Sequence, residues 1–397
     1  MARNDGVMSS YKNNRIPVPI MKGNFMKFTC EKYLLLTAIL TASRAAATKS
    51  PTALLEGLMI EAYDETVKIT GYNLKTGIVT SLPAEIEESG EIVLNARLLS
   101  EIIRKMPGQS VTLSVDKNYA TTIKSEVSVF DIIGSPTSDF PELPTVEGGD
   151  FFRIGEATIK KMISQTNFAV SDNEAKPIHT GSLFETRDGE LTIVALDGFR
   201  LALRREVLDA PKPPELDFVV PGAALSELEK ILSDGEEMVK ITLGEKHIIF
   251  SINDTMLVSR RLEGEFLNYR NSILQSSKFK ITVNKNELIA AVERVSLIIS
   301  DNLKSPVRCL IDDGLIKLNS ISTLGKAVDE CYYEGNAEEI EIGFNDKYLL
   351  DALKAAPSEM LSLELTSGVN PCIITPADDK NNFLYMVLPV RLKNYEA

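Results

Sequence analysis

The chain has 397 residues, 44% of them hydrophobic, and a formal net charge of −13. That length is more than one ordinary core and predicts two or three domains, while the acidic balance argues against non-specific adhesion of nucleic acid to the body as a whole. No run approaches the roughly 18 apolar residues of a membrane span, and the four cysteines (Cys30, Cys309, Cys331, Cys372) have no CxxC spacing, which argues against a zinc site or a disulfide scaffold and fits a reducing cytoplasm.

In chain order, residues 1–25 are polar and Pro-containing and lack the apolar centre of a signal peptide, so they read as a flexible extension before a domain starting at Met26. The rest repeats three times. Each third opens with a strand and a helical tract, MKFTCEKYLLLTAILTAS (26–43), FFRIGEATIKKMISQTNFAVS (151–171) and FKITVNKNELIAAVERVSLIIS (279–300), and from Phe28 to Phe152 to Ile281 the steps are 124 and 129 residues. Two strand-like segments follow in each: 67–80, 191–204 and 316–329. A second strand and helix come next, at 92–108, 218–235 and 341–357, with steps of 126 and 123 from Val93 to Val219 to Ile342. Leu98, Leu99, Ile102 and Ile103, like Leu225, Leu228, Ile231 and Leu232, mark one helix face. Pro/Gly-rich SPTSDFPELPTVEGGD (135–150) and polar LEGEFLNYRNSILQSSK (262–278) read as boundaries. The pattern predicts an α+β protein of three similar domains, 26–148, 149–275 and 276–397, each a doubled strand–helix–strands unit.

One turn stands apart. Asp197-Gly198 in ALDGFRLAL is an ordinary hairpin signal, yet it carries Phe199 and Arg200, where the other copies read GYNLKTG and SISTLGK. A purely structural turn needs neither residue, so the segment reads as a surface feature required on one domain only. Charge is also unevenly placed: the helical tracts 31–46, 96–107, 156–170, 222–235, 285–300 and 346–356 carry +1, +2, +1, −2, 0 and 0, leaving the remainder at −15. Six such helices on one surface would make it mildly positive on an acidic body, which suits sequence-independent phosphate contact.

Enzyme signatures are missing: there is no GxxxxGKS/T, GxGxxG, HExxH or GxSxG, and only two histidines, His179 and His247. Asp312-Asp313 and Asp378-Asp379 read as solvated turns, and no cofactor or metal is expected. Carboxylates can converge from distant positions, so an enzyme with a site invisible at this level stands as one rival, and a peptide-binding adaptor without a DNA role as another.

MKFT (26–29), DFPELP, ALDGFRLAL, GEFLNYR (264–270), EIGFNDKYLLDAL (341–353) and YMVLPVRL (385–392) resemble, in their order and spacing, the bacterial DNA polymerase III beta subunits, the sliding-clamp family, over residues 26–394. The resemblance implies a non-catalytic, cytoplasmic processivity factor: a head-to-tail homodimeric ring around duplex DNA, helices lining the hole and sheets outside. It implies a cleft that accepts short linear peptides from the polymerase alpha subunit, the clamp loader and repair proteins. By position the cleft comprises His179, Leu196, Gly198, Phe199, Arg200, Leu201, Leu267, Asn345, Tyr348, Pro371, Val387, Leu388, Pro389, Val390, Arg391 and Leu392. Leu196, Leu201, Leu267 and Val390 would bury apolar anchors, and Arg200 and Arg391 would supply charge-assisted hydrogen bonds. DNA contacts are expected at Lys49, Arg97, Arg104, Lys105, Asn173 and Lys176, and dimer contacts at Phe130, Ile298 and Ile299. The family's usual turn is ATDGHRLA, so Leu196 and Phe199 replace Thr and His; Leu267 stands where Pro is usual; and KNYEA follows where many members stop at Arg-Leu.

Overall fold

The structure is a computed structural model describing residues 25–146, 148–208, 212–273, 277–299, 305–378 and 382–392. The extension, apart from Phe25, and the KNYEA tail lie outside the described residues.

Each third of the chain builds the same unit. The first comprises β1 (Met26–Glu31), α1 (Lys32–Ser43), β2 (Gly57–Tyr63), β3 (Thr66–Tyr72), β4 (Thr76–Pro83), β5 (Glu85–Glu88), β6 (Gly90–Asn95), α2 (Ala96–Lys105), β7 (Ser110–Val115), β8 (Ala120–Ser125) and β9 (Ser128–Ile133). The second comprises β10 (Asp150–Gly155), α3 (Glu156–Ser164), β11 (Gly181–Arg187), β12 (Glu190–Leu196), β13 (Arg200–Val207), β14 (Leu216–Pro221), α4 (Gly222–Ile231), β15 (Met238–Leu243), β16 (His247–Ile252) and β17 (Thr255–Arg260). The third comprises β18 (Phe279–Asn284), α5 (Lys285–Ser296), β19 (Val307–Asp312), β20 (Leu315–Ser322), β21 (Gly325–Asn336), β22 (Ile340–Phe344), α6 (Asp346–Ala355), β23 (Met360–Leu365), β24 (Cys372–Pro376) and β25 (Phe383–Val387). Three strands, not the expected two, follow the first helix of each unit. The first of the three pairs with the strand preceding the second helix, closing the half-unit.

The helices form because one face of each is apolar. In α2 the buried stripe is Ala96, Leu99, Ile102 and Ile103. Leu98, expected on that face, is 44% exposed because it sits at the edge of a stripe centred on Leu99 and Ile103. Within each unit the two helices pack together, and the strands cover them. Burying side chains such as Leu35, Leu99, Leu225 and Leu353 contributes on the order of 2 kcal/mol each. All four cysteines are buried and free, and burial pushes the Cys30 thiol up to about 12.

The repeat extends to single hydrogen bonds. The first helical N–H reaches an equivalent carbonyl in every unit: Lys32 to Gln109, Glu156 to Glu237 and Lys285 to Glu359. In the outer units the lysine ammonium also donates to the carbonyl at the end of the second helix, Lys32 to Met106 and Lys285 to Ala356. The middle unit reverses the polarity, with the Glu156 carboxylate accepting from the Ser233 N–H and hydroxyl.

Consecutive units join by strand pairing. The last strand of the second unit, β17, pairs antiparallel with β4 of the first, from Thr255↔Thr80 to Ser259↔Thr76. The last strand of the third, β25, pairs with β13 of the second, from Phe383↔Arg204 to Val387↔Arg200. The resulting sheets have eight and twelve strands, and a five-stranded sheet ending in β9 completes the fold.

A candidate docking cleft at the second joint

The cleft is built on the β12–β13 turn. The Asp197 Oδ1 accepts N–H bonds from Phe199 (2.8 Å) and Arg200 (3.0 Å), fixing the turn. Gly198 has φ +91°, a conformation that costs a side-chain-bearing residue steric strain. Arg200 is held from three sides: Nε donates to Asp197 Oδ2 (2.9 Å), Nη1 donates to Asp351 Oδ2 (2.5 Å), and the guanidinium lies 4.6 Å from the Tyr348 ring centre. Phe168 lies 5.5 Å away on the same cation. Such geometry makes Arg200 a positioned donor at the joint, with two carboxylates already engaged.

Phe199 is 58% exposed and stacks on Tyr348 at 5.9 Å. Its carbonyl accepts the Leu388 N–H (2.8 Å), drawing the C-terminal segment alongside the turn. That segment then crosses to β22, where the Val390 N–H donates to Gly343 O (2.8 Å); a Cβ at Gly343 would collide with Leu392. Leu388, Pro389, Val390 and Leu392 are half-buried, and Arg391 is exposed without an ion pair among the described residues.

Between these walls Leu196 and Leu201 are buried in a cluster on the sheet's outer face with Met386, Ile373 and Tyr269. Leu267, 48% exposed, stands on the loop over that cluster, and His179 meets Phe266 edge to face at 5.7 Å. Burial, and then Lys176, hold the His179 imidazole below its ordinary value. The same loop roofs a neighbouring cavity of about 440 Å³ whose wall includes Glu185, hydrogen-bonded to the Tyr269 hydroxyl and to both Arg270 Nη atoms.

Not every expected cleft residue presents its side chain. Val387 is fully buried in the third unit's core, and the Asn345 side chain caps α6 by accepting the Tyr348 N–H (3.1 Å). Pro371 is half-buried at the start of β24. Phe168, Ile178, Phe266, Asp351 and Met386 were missed. They lie far apart in sequence, and the only signal was the apolar residues of the 262–273 loop, whose spacing fits neither helix nor strand.

The expected DNA residues are exposed. Arg97 pairs with Glu101 on α2, Arg104 and Lys105 end that helix, and Lys49 lies in the loop after α1. Asn173 uses its side chain to accept the Ala175 N–H, and Lys176 sits near His179, on the cleft side. Phe130 is 41% exposed on β9; Ile298 is half-buried, Ile299 packs on the third core, and Leu297 is 81% exposed. Among the described residues no helix is long and apolar enough to cross a membrane.

Three joined α+β units and an apolar cleft flanked by a fixed arginine define a docking scaffold of the clamp type. Models of the N-terminal, central and C-terminal domains of the DNA polymerase III beta subunit match residues 26–144, 153–268 and 272–391. The Beta sliding clamp of Bacillus subtilis is 33% identical over 377 residues, covering 92% of this chain and all of that one. The structure of a putative beta subunit from Eubacterium rectale aligns at TM-score 0.87 and 34% identity over 92% of this chain and 99% of that one. A Pseudomonas aeruginosa sliding clamp bound to griselimycin aligns at TM-score 0.86 and 26% identity over 92% of this chain and 100% of that one. The chain belongs to the DNA polymerase III beta subunit family, the sliding clamps, and is a non-catalytic subunit of that kind.

Proposed function

We propose that two copies of this chain close head to tail into a ring around duplex DNA, and that the cleft at the second joint tethers the replicative polymerase, the clamp loader and repair proteins by short peptides. Cytoplasmic residence and domain limits at 148/149 and 275/276 belong to the same reading. One observation carries it: the repeat leaves one joint unmade. The third strand of units one and two, β4 and β13, receives the last strand of the following unit. The equivalent strand of unit three, β21, has residues 325–331 unpaired on one side, and β9, the last strand of unit one, is a sheet edge.

Aligning the turns Asn73–Thr76, Asp197–Arg200 and Ser322–Gly325 transfers the register. It pairs Gly325 with Ile132 of the partner subunit, Lys326 with Asp131 of the partner subunit and Val328 with Val129 of the partner subunit. Opposite charges and exposed valines then face each other across the strands. Phe130 of the partner subunit falls opposite Ala327, and Leu297 directly follows the helix that packs on β21. A peptide adaptor that never encircled DNA would leave two open edges, a liability folds rarely keep.

The helices α1 to α6 carry +1, +2, +1, −1, 0 and 0 against −13 for the chain, consistent with a mildly positive lining for a sliding duplex. Light scattering tests the reading: twice the chain mass for the native protein, and the monomer mass for Val129→Asp with Lys326→Glu. A native monomer at micromolar concentration would remove the ring and leave the cleft.

A further inference from the structure

We propose that Lys75, Lys246, Arg260 and Arg261, on the rim where the first and second units join, form a second, sequence-independent contact for a nucleic-acid phosphate backbone. This rests on the reading that DNA passes through the ring, and it adds a site outside the helix-lined hole.

The joint repeats the strand pairing of the cleft joint. The Arg260 N–H donates to Lys75 O (3.1 Å), as the Leu388 N–H donates to Phe199 O (2.8 Å). The turns beneath are set by Asn73 Oδ1 in one and Asp197 Oδ1 in the other. The pairings β16–β17 and β24–β25 carry the equivalence further, so Lys246, Arg260 and Arg261 stand where the cleft has Asn370, Leu388 and Pro389. Side chains that are apolar or neutral at one joint are cationic at the other.

The four residues are neighbours along the backbone, and Arg261 also lines the cavity that holds Glu185, Asp217 and Glu263. Besides the Arg260–Lys75 bond, the Arg261 N–H donates to Lys246 O (3.0 Å), and Arg260 lies opposite His247 in the ladder. None of the four has an ion pair among the described residues, although Glu245 and Glu263 are adjacent in the chain. Burial first, then Arg260 and Lys246, hold His247 below the ordinary imidazole value. Unpaired cations held together on a chain of net charge −13 repel one another unless an anion lies between them.

The groove below selects the anion's class. Its apolar floor is filled from within: Phe140 and Leu143 pack with Tyr72 and Val93, and a Cβ at Gly77 would come 2.8 Å from Leu143 Cδ2. A protein partner draws most of its affinity from buried apolar anchors, and here Phe140 and Leu143 already occupy that floor. A phosphodiester backbone is held by charge alone.

The test is the salt dependence of binding, by fluorescence polarisation, of a labelled 30-base-pair duplex to the full chain. Lys75→Ala/Lys246→Ala/Arg260→Ala changes only exposed residues, and its slope of log K against log salt should be shallower by about 2–3, at about 0.9 per phosphate contact. The milder Arg260→Gln should lose about 1. Arg104→Ala/Lys105→Ala, measured in parallel, reports the hole. A slope changed by the hole variant alone overturns the rim site and leaves the ring reading intact; slopes unchanged in both overturn DNA encirclement and the rim site with it. A labelled 30-nucleotide strand in a second arm tells whether duplex or single strand is the form held. Tighter binding of decaglutamate than of a ten-nucleotide strand, lost in the triple variant, would overturn the assignment in favour of an acidic protein segment.

Discussion

The two joints within the chain share one backbone and differ in what fills them. At the first, the linker after β9 folds Phe140 and Leu143 onto the sheet's outer face, so the groove closes on itself. At the second, the linker after β17 lays Leu262, Phe266 and Tyr269 on the equivalent face but leaves Leu267 exposed, as Phe199 is on the turn. Strand pairing alone therefore does not make a docking site. Whether the chain supplies its own apolar plug decides that, and the rim residues then follow suit: cations where the groove is shut, aromatic and aliphatic groups where it is open.

The comparison breaks most visibly at the plug. Phe140→Ala should lower stability by about 3 kcal/mol, since a buried aromatic is removed and a cavity remains, and differential scanning calorimetry reads the change. The matching Phe266→Ala, on a half-buried ring, should cost less stability while weakening binding of a peptide with apolar anchors, because that ring supports the His179 wall. Equal stability losses with unchanged ligand binding would erase the distinction between plug and cleft. Next in size, Phe199→Lys with Leu388→Arg gives the open joint the rim chemistry of the closed one. Binding of a peptide with apolar anchors should fall more than tenfold in a fluorescence titration, while the melting temperature stays within a few degrees. Retained affinity would show that the rim does not select the ligand. A smaller loss tests the cap beneath the cleft: Asn345→Ala should cost about 1 kcal/mol and loosen Tyr348, the platform under Phe199 and Arg200.

Much of this was legible in the sequence. The threefold step and the helix faces predicted the units, because apolar periodicity is local, and the odd DGFR turn marked a surface feature on one domain; the cleft residues came from the family resemblance. Asp351 and Phe168 were not legible. Both reach Arg200 only once α6 and the turn after α3 are folded against β13, and no spacing rule links positions 168, 200 and 351. The burial of Val387 was not legible for a related reason: strand alternation puts Met386 and Val387 on opposite faces, but only the β13–β25 register says which face is outward. The rim cations were hidden in three separate turns.

The smallest effect separates the two histidines, one at each joint. Both are held below the ordinary imidazole value, mainly by burial, with Lys176 adding at His179 and Arg260 and Lys246 adding at His247. The sign follows from proton binding: near pH 6 the unfolded chain holds more protons at these sites than the native one, so their contribution to stability is present above about pH 6.5. It declines as pH falls through the lower native values. His179→Gln and His247→Gln should each flatten the stability profile between about pH 7 and pH 5. Only at the rim do two cations share in the shift, so 0.5 M salt, which screens exposed charges at the few-ångström scale, should shrink the His247 effect more than the His179 effect. An identical salt response at both would mean that burial alone sets His247, and that the rim potential is weaker than its four cations imply.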